Sequence, residues 1–134
     1  WLKNVFSFET SSNNFATNFT PLATMGSQMS GLLPDAVGRS SGQPWKIYCY
    51  GDSLTAGFHS GGKGFSPYAS SLSGALRVAG HTCEVMHCGL SGLTAQELAA
   101  KVKAPAIRDI TGRPGTGLEY HLQRAAQDLV IIML

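Results

Sequence analysis

The sequence predicts an α/β fold with parallel strands, because strand-like and helix-like segments alternate along it. The runs 46–50 and 128–134 are short, apolar and rich in β-branched or aromatic residues, as buried strands are. The second run is apolar on both faces, which is typical of a central strand covered by helices on each side. Segments with helical spacing lie between the strands, and this alternation favours a layered α/β architecture.

Length and composition allow one domain preceded by an extension. The chain has 134 residues, and 43% of them are hydrophobic, enough for a core. Residues 1–44 are rich in Ser, Thr, Asn and Gly, and their apolar residues keep no period. This composition predicts a disordered N-terminal extension, with the folded domain over residues 45–134.

The first half of the domain is predicted as strand, loop and helix. The strand 46–50 ends at Gly51, and a glycine-rich loop covers 57–64. We expect Ser66 to cap a helix whose first turn holds Pro67. Apolar residues then recur at helical spacing until Gly80, a natural stop.

The second half of the domain is predicted as strand, helix, loop, helix and strand. A strand over 81–88 is followed by Thr94-Ala-Gln-Glu97, which fits a capping box at the start of a helix that continues to Val102. Residues 105–117 are predicted as loop, 118–127 as helix and 128–134 as the third strand. The resulting order is β-α-β-α-α-β.

Charge and hydropathy exclude several classes of protein. Charged residues make up 13%, the net charge is +2 and no basic run exists, which argues against nucleic-acid binding. The longest apolar run, 129–134, has six residues, whereas a membrane-spanning helix needs about 20. Residues 1–20 show no signal peptide, so we expect a soluble protein whose location the sequence leaves unknown. Cys49, Cys83 and Cys88 are predicted to be reduced thiols.

Two loops follow the predicted strand ends, where parallel α/β sheets bind their ligands. In the first loop, Ser53 comes just after a strand in a tight turn, which is where a nucleophilic serine is held toward its substrate. An ordinary turn serine remains equally compatible with that position. The α/β-hydrolase motif Gly-x-Ser-x-Gly does not fit, because Thr55 stands where the second glycine belongs.

Both loops resemble sequence blocks of one enzyme family. Tyr50-Gly-Asp-Ser-Leu-Thr-Ala-Gly57 resembles the first block of the GDSL, or SGNH, hydrolases, which are serine esterases and lipases. Cys88-Gly-Leu-Ser-Gly-Leu-Thr94 resembles their second block. The resemblance covers residues 45–134 and leaves 1–44 unexplained.

The resemblance implies a flavodoxin-like, three-layer α/β/α fold with its first three strands in the order 2-1-3. It implies hydrolysis of a small-molecule or lipid ester through an acyl-enzyme, with a short-chain carboxylester as the default substrate and no cofactor or metal. Ser53 would be the nucleophile, and its backbone N–H and that of Gly92 would form part of the oxyanion hole. The remaining assignments are turn-shaping residues (Gly51 and Asp52) and candidate substrate-rim residues (Leu54, His59 and Ser91).

Two blocks of that family have no counterpart in these 134 residues. They are the Gly-x-Asn-Asp block, which supplies another oxyanion donor, and the Asp-x-x-His block, which supplies the general base. We therefore expect the chain to be the N-terminal part of a longer esterase, truncated after the third strand. Losing the base typically costs on the order of 10⁴–10⁶ in rate, so the chain alone should be nearly inactive. The alternative is a non-catalytic fragment or binding module.

Histidines and a glycine-rich stretch offer weaker alternatives. His59 is expected to be a solvated loop residue near the substrate entrance, and His87 lies near the predicted mouth of the site. The four histidines show no zinc spacing. Residues 57–64 approach the phosphate-binding P-loop pattern, but Gly64 replaces its Ser or Thr and the stretch begins six residues after the strand.

Overall fold

The computed structural model describes residues 5–8 and 42–134. Its elements, in chain order, are β1 (Val5–Phe8), β2 (Trp45–Gly51), α1 (Ser53–Ala56), β3 (Phe58–His59), a 3₁₀ turn (Ser60–Gly62), β4 (Gly64–Phe65), α2 (Tyr68–Val78), β5 (Cys83–Gly89), α3 (Ala95–Ala100), β6 (Ile107–Arg108), β7 (Pro114–Gly115), α4 (Leu118–Leu122) and β8 (Leu129–Met133).

A parallel sheet organises the molecule. Its four strands lie in the order β1-β8-β2-β5, and every neighbouring pair is parallel. The predicted mixed α/β fold with parallel strands is confirmed. So is the predicted strand order, because β2, the first strand of the domain, lies between β5 and β8.

Two apolar clusters cover the two faces of the sheet. On one face, Ile47 and Cys49 of β2 and Leu129 of β8 pack against Ala69 and Leu76 of α2. The second cluster lies on the opposite face, which α3 and the β6–β7 hairpin cover. Its buried members are Tyr48, Tyr50, Leu90, Leu98 and Ile107. The alternation of side chains along a strand explains why odd and even positions of β2 serve different clusters.

The first long helix begins one residue later than predicted. Pro67 takes the N-cap position of α2 with extended backbone, so the expected capping role of Ser66 is wrong. The Ser66 hydroxyl lies 3.2 Å from His59 Nε2 instead. At the other end, the N–H groups of Gly80 and His81 donate to the carbonyls of Arg77 and Leu76, and Gly80 has φ +85°. This left-handed glycine closes the helix as predicted.

The predicted capping box of α3 is confirmed. Thr94 Oγ1 accepts from the Glu97 N–H at 3.2 Å, and Glu97 Oε2 accepts from the Thr94 N–H at 2.8 Å. The helix ends at Ala100, so the prediction that it continues to Val102 is too long.

The segment before the last strand differs from its prediction in two places. The loop expected over 105–117 contains the two-stranded hairpin β6–β7. The helix expected over 118–127 ends at Leu122, and Gln127 Nε2 donates to the carbonyl of Ala125 at 3.3 Å. The turn that follows lets the N–H of Asp128 reach the carbonyl of Lys46 at 2.9 Å, which starts β8 beside β2.

Part of the predicted extension contributes to the sheet. Residues 5–8 pair in parallel with β8, while residues 1–4 and 9–41 lie outside the described residues. Within the described ranges, no helix has the length and apolar character needed to cross a membrane.

Candidate active site

The candidate site lies at the carboxyl edge of the sheet, where three parallel strands end side by side. Gly51 of β2 is in register with Gly89 of β5 and with Met133 of β8. The Asp52 N–H donates to the Met133 carbonyl at 3.3 Å, and the Leu90 N–H donates to the Gly51 carbonyl at 2.9 Å. The two predicted loops therefore leave the sheet next to one another.

Two glycines make this close approach feasible. A Cβ atom on Gly51 would collide with the Met133 carbonyl oxygen, and one on Gly89 would collide with the backbone of Ala56 in α1. Because neither collision can be relieved by rotating a side chain, these positions require glycine. Gly51, for which a turn-shaping role is predicted, lies at the point where the end of β8 approaches most closely.

Ser53 is the first residue of the short helix α1. Asp52 is its N-cap, and the Asp52 carboxylate accepts from the Leu54 N–H at 2.8 Å. Ser53 is half-buried, and neither its hydroxyl nor its N–H bonds to another described residue. Leu54 beside it is 47% exposed, which suits a residue at the rim of a site.

The second loop places Gly92 at the same edge. A hydrogen bond from the Leu93 N–H to the Leu90 carbonyl, at 3.3 Å, closes a turn in which Gly92 has φ +77°. Glycine is favoured there because side chains disfavour positive φ. Gly92 is exposed, its N–H has no acceptor among the described residues, and the Ile110 side chain lies where its Cβ would be.

Asp109 anchors this second loop, a role that the sequence analysis missed. Its buried carboxylate accepts from the N–H groups of Ser91 at 3.2 Å, Thr111 at 2.9 Å and Arg113 at 2.9 Å. Burial on its own raises the pKa of Asp109, but these bonds, with one from the Thr111 hydroxyl, outweigh it and hold the pKa below its usual value. The Asp-x-Thr-Gly pattern at 109–112 signals such a turn in sequence.

Of two candidate rim residues, Ser91 is not where a rim residue was expected, whereas His59 is exposed, as expected of a solvated loop residue. The Ser91 side chain is buried, with 1% of the residue exposed, so it does not line an open rim. His59 is exposed in the β3–β4 hairpin, and its two ring nitrogens lie 3.0 Å from Ser60 Oγ and 3.2 Å from Ser66 Oγ. Its ring also packs against Gly64. These contacts orient the ring within its own hairpin.

The structure places the Ser53 loop and the Gly92 loop at the same edge of the sheet, but Ser53 is not hydrogen-bonded to a base among the described residues. None of the four histidines hydrogen-bonds to Ser53, and each belongs to the described residues. In the described part of the chain, no group of three or more His, Cys, Asp or Glu side chains is placed to hold a metal ion.

The fold and the site together define a mixed α/β protein with a serine at the carboxyl edge of a parallel sheet. Comparison of the chain with protein-family models, curated proteins and solved structures found no match.

Proposed function

We propose that this protein is the SGNH-type serine hydrolase that its two sequence blocks resemble, and that it cleaves carboxylic esters through an acyl-enzyme at Ser53. The observation that carries the proposal is the position of Ser53. Ser53 comes just after the carboxyl end of β2, a central strand of the parallel sheet, and its hydroxyl makes no hydrogen bond to another described residue. Ligands of open parallel sheets bind at this edge.

The backbone around Ser53 supports the stabilisation of an oxyanion. The N–H groups of Ser53 and Gly92 both come from loops at the carboxyl edge, and neither has an acceptor among the described residues. Rigid N–H donors are what a developing negative charge on a substrate oxygen requires. The bonds through Asp52 and Asp109 hold the two loops that present them.

A serine hydroxyl needs a base to become a nucleophile at neutral pH. Since no described histidine reaches Ser53, we propose that the general base and its orienting acid come from a part of the protein outside these 134 residues. In the same proposal, the fold is the flavodoxin-like fold of that family, and a short-chain carboxylester is the default substrate. No cofactor is needed for this chemistry.

The test is hydrolysis of p-nitrophenyl acetate by the complete native protein and two variants. Ser53→Ala should lower kcat/KM by about 10⁴ or more, because the nucleophile is lost. Ser70→Ala is the matched control, since Ser70 is exposed on α2, and its activity should equal that of the unmodified protein. Retention of most activity by Ser53→Ala would refute the nucleophile assignment. Loss of activity in both variants would point to instability rather than catalysis.

The alternative function is a binding module without catalysis. It would be supported if the complete native protein hydrolysed no ester although it was folded. Nucleotide binding at residues 57–64 is the less favoured alternative, since in the structure this stretch forms the β3–β4 hairpin rather than a loop between a strand and a helix.

A further inference from the structure

A cleft beside the carboxyl half of β5 is separate from Ser53. It has a volume of about 470 Å³ and lies between β5, the β6–β7 hairpin and His121 of α4. Pockets of roughly 300–1,000 Å³ are the usual size for small-molecule ligands. Gly89 lines the cleft, so the cleft approaches the edge of the sheet, but Ser53 is not among its lining residues.

Arg113 supplies the cleft with an unsatisfied positive charge. Its guanidinium lies over the Phe65 ring, 4.0 Å from the ring centre, which fixes the plane of the group. No described carboxylate pairs with this guanidinium, and its shielded Nη1 has no hydrogen-bond partner among the described residues. An anion in the cleft would therefore lie beside a cation that no described carboxylate neutralises.

The two histidines and the tyrosine that line the cleft favour their uncharged forms, which leaves Arg113 as the cation. Burial lowers the pKa of His87, and the nearby Arg113 guanidinium lowers it further. Burial also lowers the pKa of His121 and raises that of Tyr48. Cys88 also lines the cleft, and its thiol donates to the Thr116 carbonyl oxygen at 3.9 Å. No Asp or Glu of the described residues lines the cleft.

The walls of the cleft suit the organic part of a ligand. Tyr48 and His121 form a parallel ring stack with 3.8 Å between centres, and Met86 adds an apolar side chain that is 38% exposed. A ligand bound here would meet a cation at one point and an apolar, aromatic surface elsewhere.

We propose that this cleft binds a small organic carboxylate, with the Arg113 guanidinium as its anchor. The planar fork of an arginine matches the two oxygens of a carboxylate. A single cation fits a monoanion better than it fits a phosphate dianion. The proposal does not depend on Ser53, and it stands or falls separately from the esterase assignment.

The test is a titration of the full chain with benzoate at pH 7.5. Binding is monitored by the NMR signals of the His87 and His121 rings. Benzoate should bind saturably and shift both signals. Arg113→Gln should weaken binding about tenfold or more, because a charge-assisted pair is lost. Arg124→Gln is the matched control: Arg124 also lies over a ring, 3.5 Å from the centre of Tyr120, but outside the cleft. Its affinity for benzoate should be unchanged.

Three results would overturn the proposal: no saturable binding to the unmodified chain, equal affinity in Arg113→Gln, or tighter binding of inorganic phosphate than of benzoate. Circular dichroism checks that each variant is folded. If Arg113→Gln does not fold, Arg113→Lys is tested instead, because this variant keeps the positive charge but loses the planar guanidinium that can pair with both carboxylate oxygens. Its affinity should fall about threefold or more, and undiminished affinity would refute the role of the fork.

Discussion

Ser53 owes its position to bonds made by neighbouring residues rather than to any bond of its hydroxyl or its N–H. The Asp52 carboxylate caps the helix that begins at Ser53, and the Asp52 N–H holds the same turn to the end of β8. Gly51 lets that strand end approach closely. A serine arranged in this way has its hydroxyl available for chemistry, because other residues carry out the structural work of the turn.

Asp109 is the residue whose charge should matter most for the stability of the second loop. Asp109→Asn should lower the free energy of unfolding by about 1–3 kcal/mol at pH 7. The reason is that an amide NH₂ group would face N–H groups that now donate hydrogen bonds to the carboxylate. Urea unfolding of both proteins measures this difference.

The same pair of proteins tests the effect of pH. The folded pKa of Asp109 lies below the unfolded value of about 3.9, so its stabilisation is complete at neutral pH and is lost as the pH falls through the unfolded and then the folded pKa. The difference between the unmodified protein and Asp109→Asn should therefore shrink between pH 7 and pH 3. An equal difference at both pH values would show that the charge contributes nothing.

Local signals in the sequence predicted the elements best where short-range chemistry decides them. The Thr94–Glu97 box and the stop at Gly80 depend on residues a few positions apart, and both are present. The β6–β7 hairpin and the early end of the helix at Leu122 depend on contacts from distant parts of the chain, such as the bond from Asp128 to Lys46. Propensity carries no information on such contacts.

The capping box of α3 gives a prediction at the scale of the element. Thr94→Ala should destabilise the protein by about 1 kcal/mol, because the Glu97 N–H loses its acceptor. It should also raise the pKa of Glu97, which hydrogen bonds from the backbone and side chain of Thr94 now lower. Thermal unfolding and an NMR titration of the Glu97 carboxyl measure the two effects.

Thr82→Ala is the control for this change. Thr82 is exposed, and its side chain makes no hydrogen bond to any described residue. Its replacement should leave both quantities near their original values. A Thr94→Ala protein as stable as this control would mean that the box does not stabilise the helix.

At the scale of the whole molecule, the sheet order follows from apolar patterning. β2 and β8 are buried on both faces, while β5 alternates between exposed and half-buried positions and lies at an edge. The sequence predicted this order through a family resemblance, and it predicted the two loops at the carboxyl edge from the strand ends. It did not predict Asp109, because a buried carboxylate that joins segments 18 residues apart leaves no periodic trace.

Strand β1 gives a prediction about the other edge of the sheet. Removing residues 1–8 would leave β8, an apolar strand, without its outer neighbour. Amide hydrogen exchange should become faster over 129–133 while it stays unchanged in β5, and aggregation should increase. Unchanged exchange in β8 would show that β1 does not protect it.

The most direct measurement of the proposed chemistry is to label the nucleophile covalently on the complete native protein, where the serine oxygen displaces fluoride from a fluorophosphonate and forms a stable phosphonyl-serine. The protein is treated with a fluorophosphonate that mimics an ester, digested, and analysed by peptide mass spectrometry. The serine-hydrolase assignment predicts one covalent adduct, on the peptide containing Ser53, and parallel loss of esterase activity. Inactivation with the adduct on another residue, or esterase activity that persists with Ser53 unmodified, would contradict it.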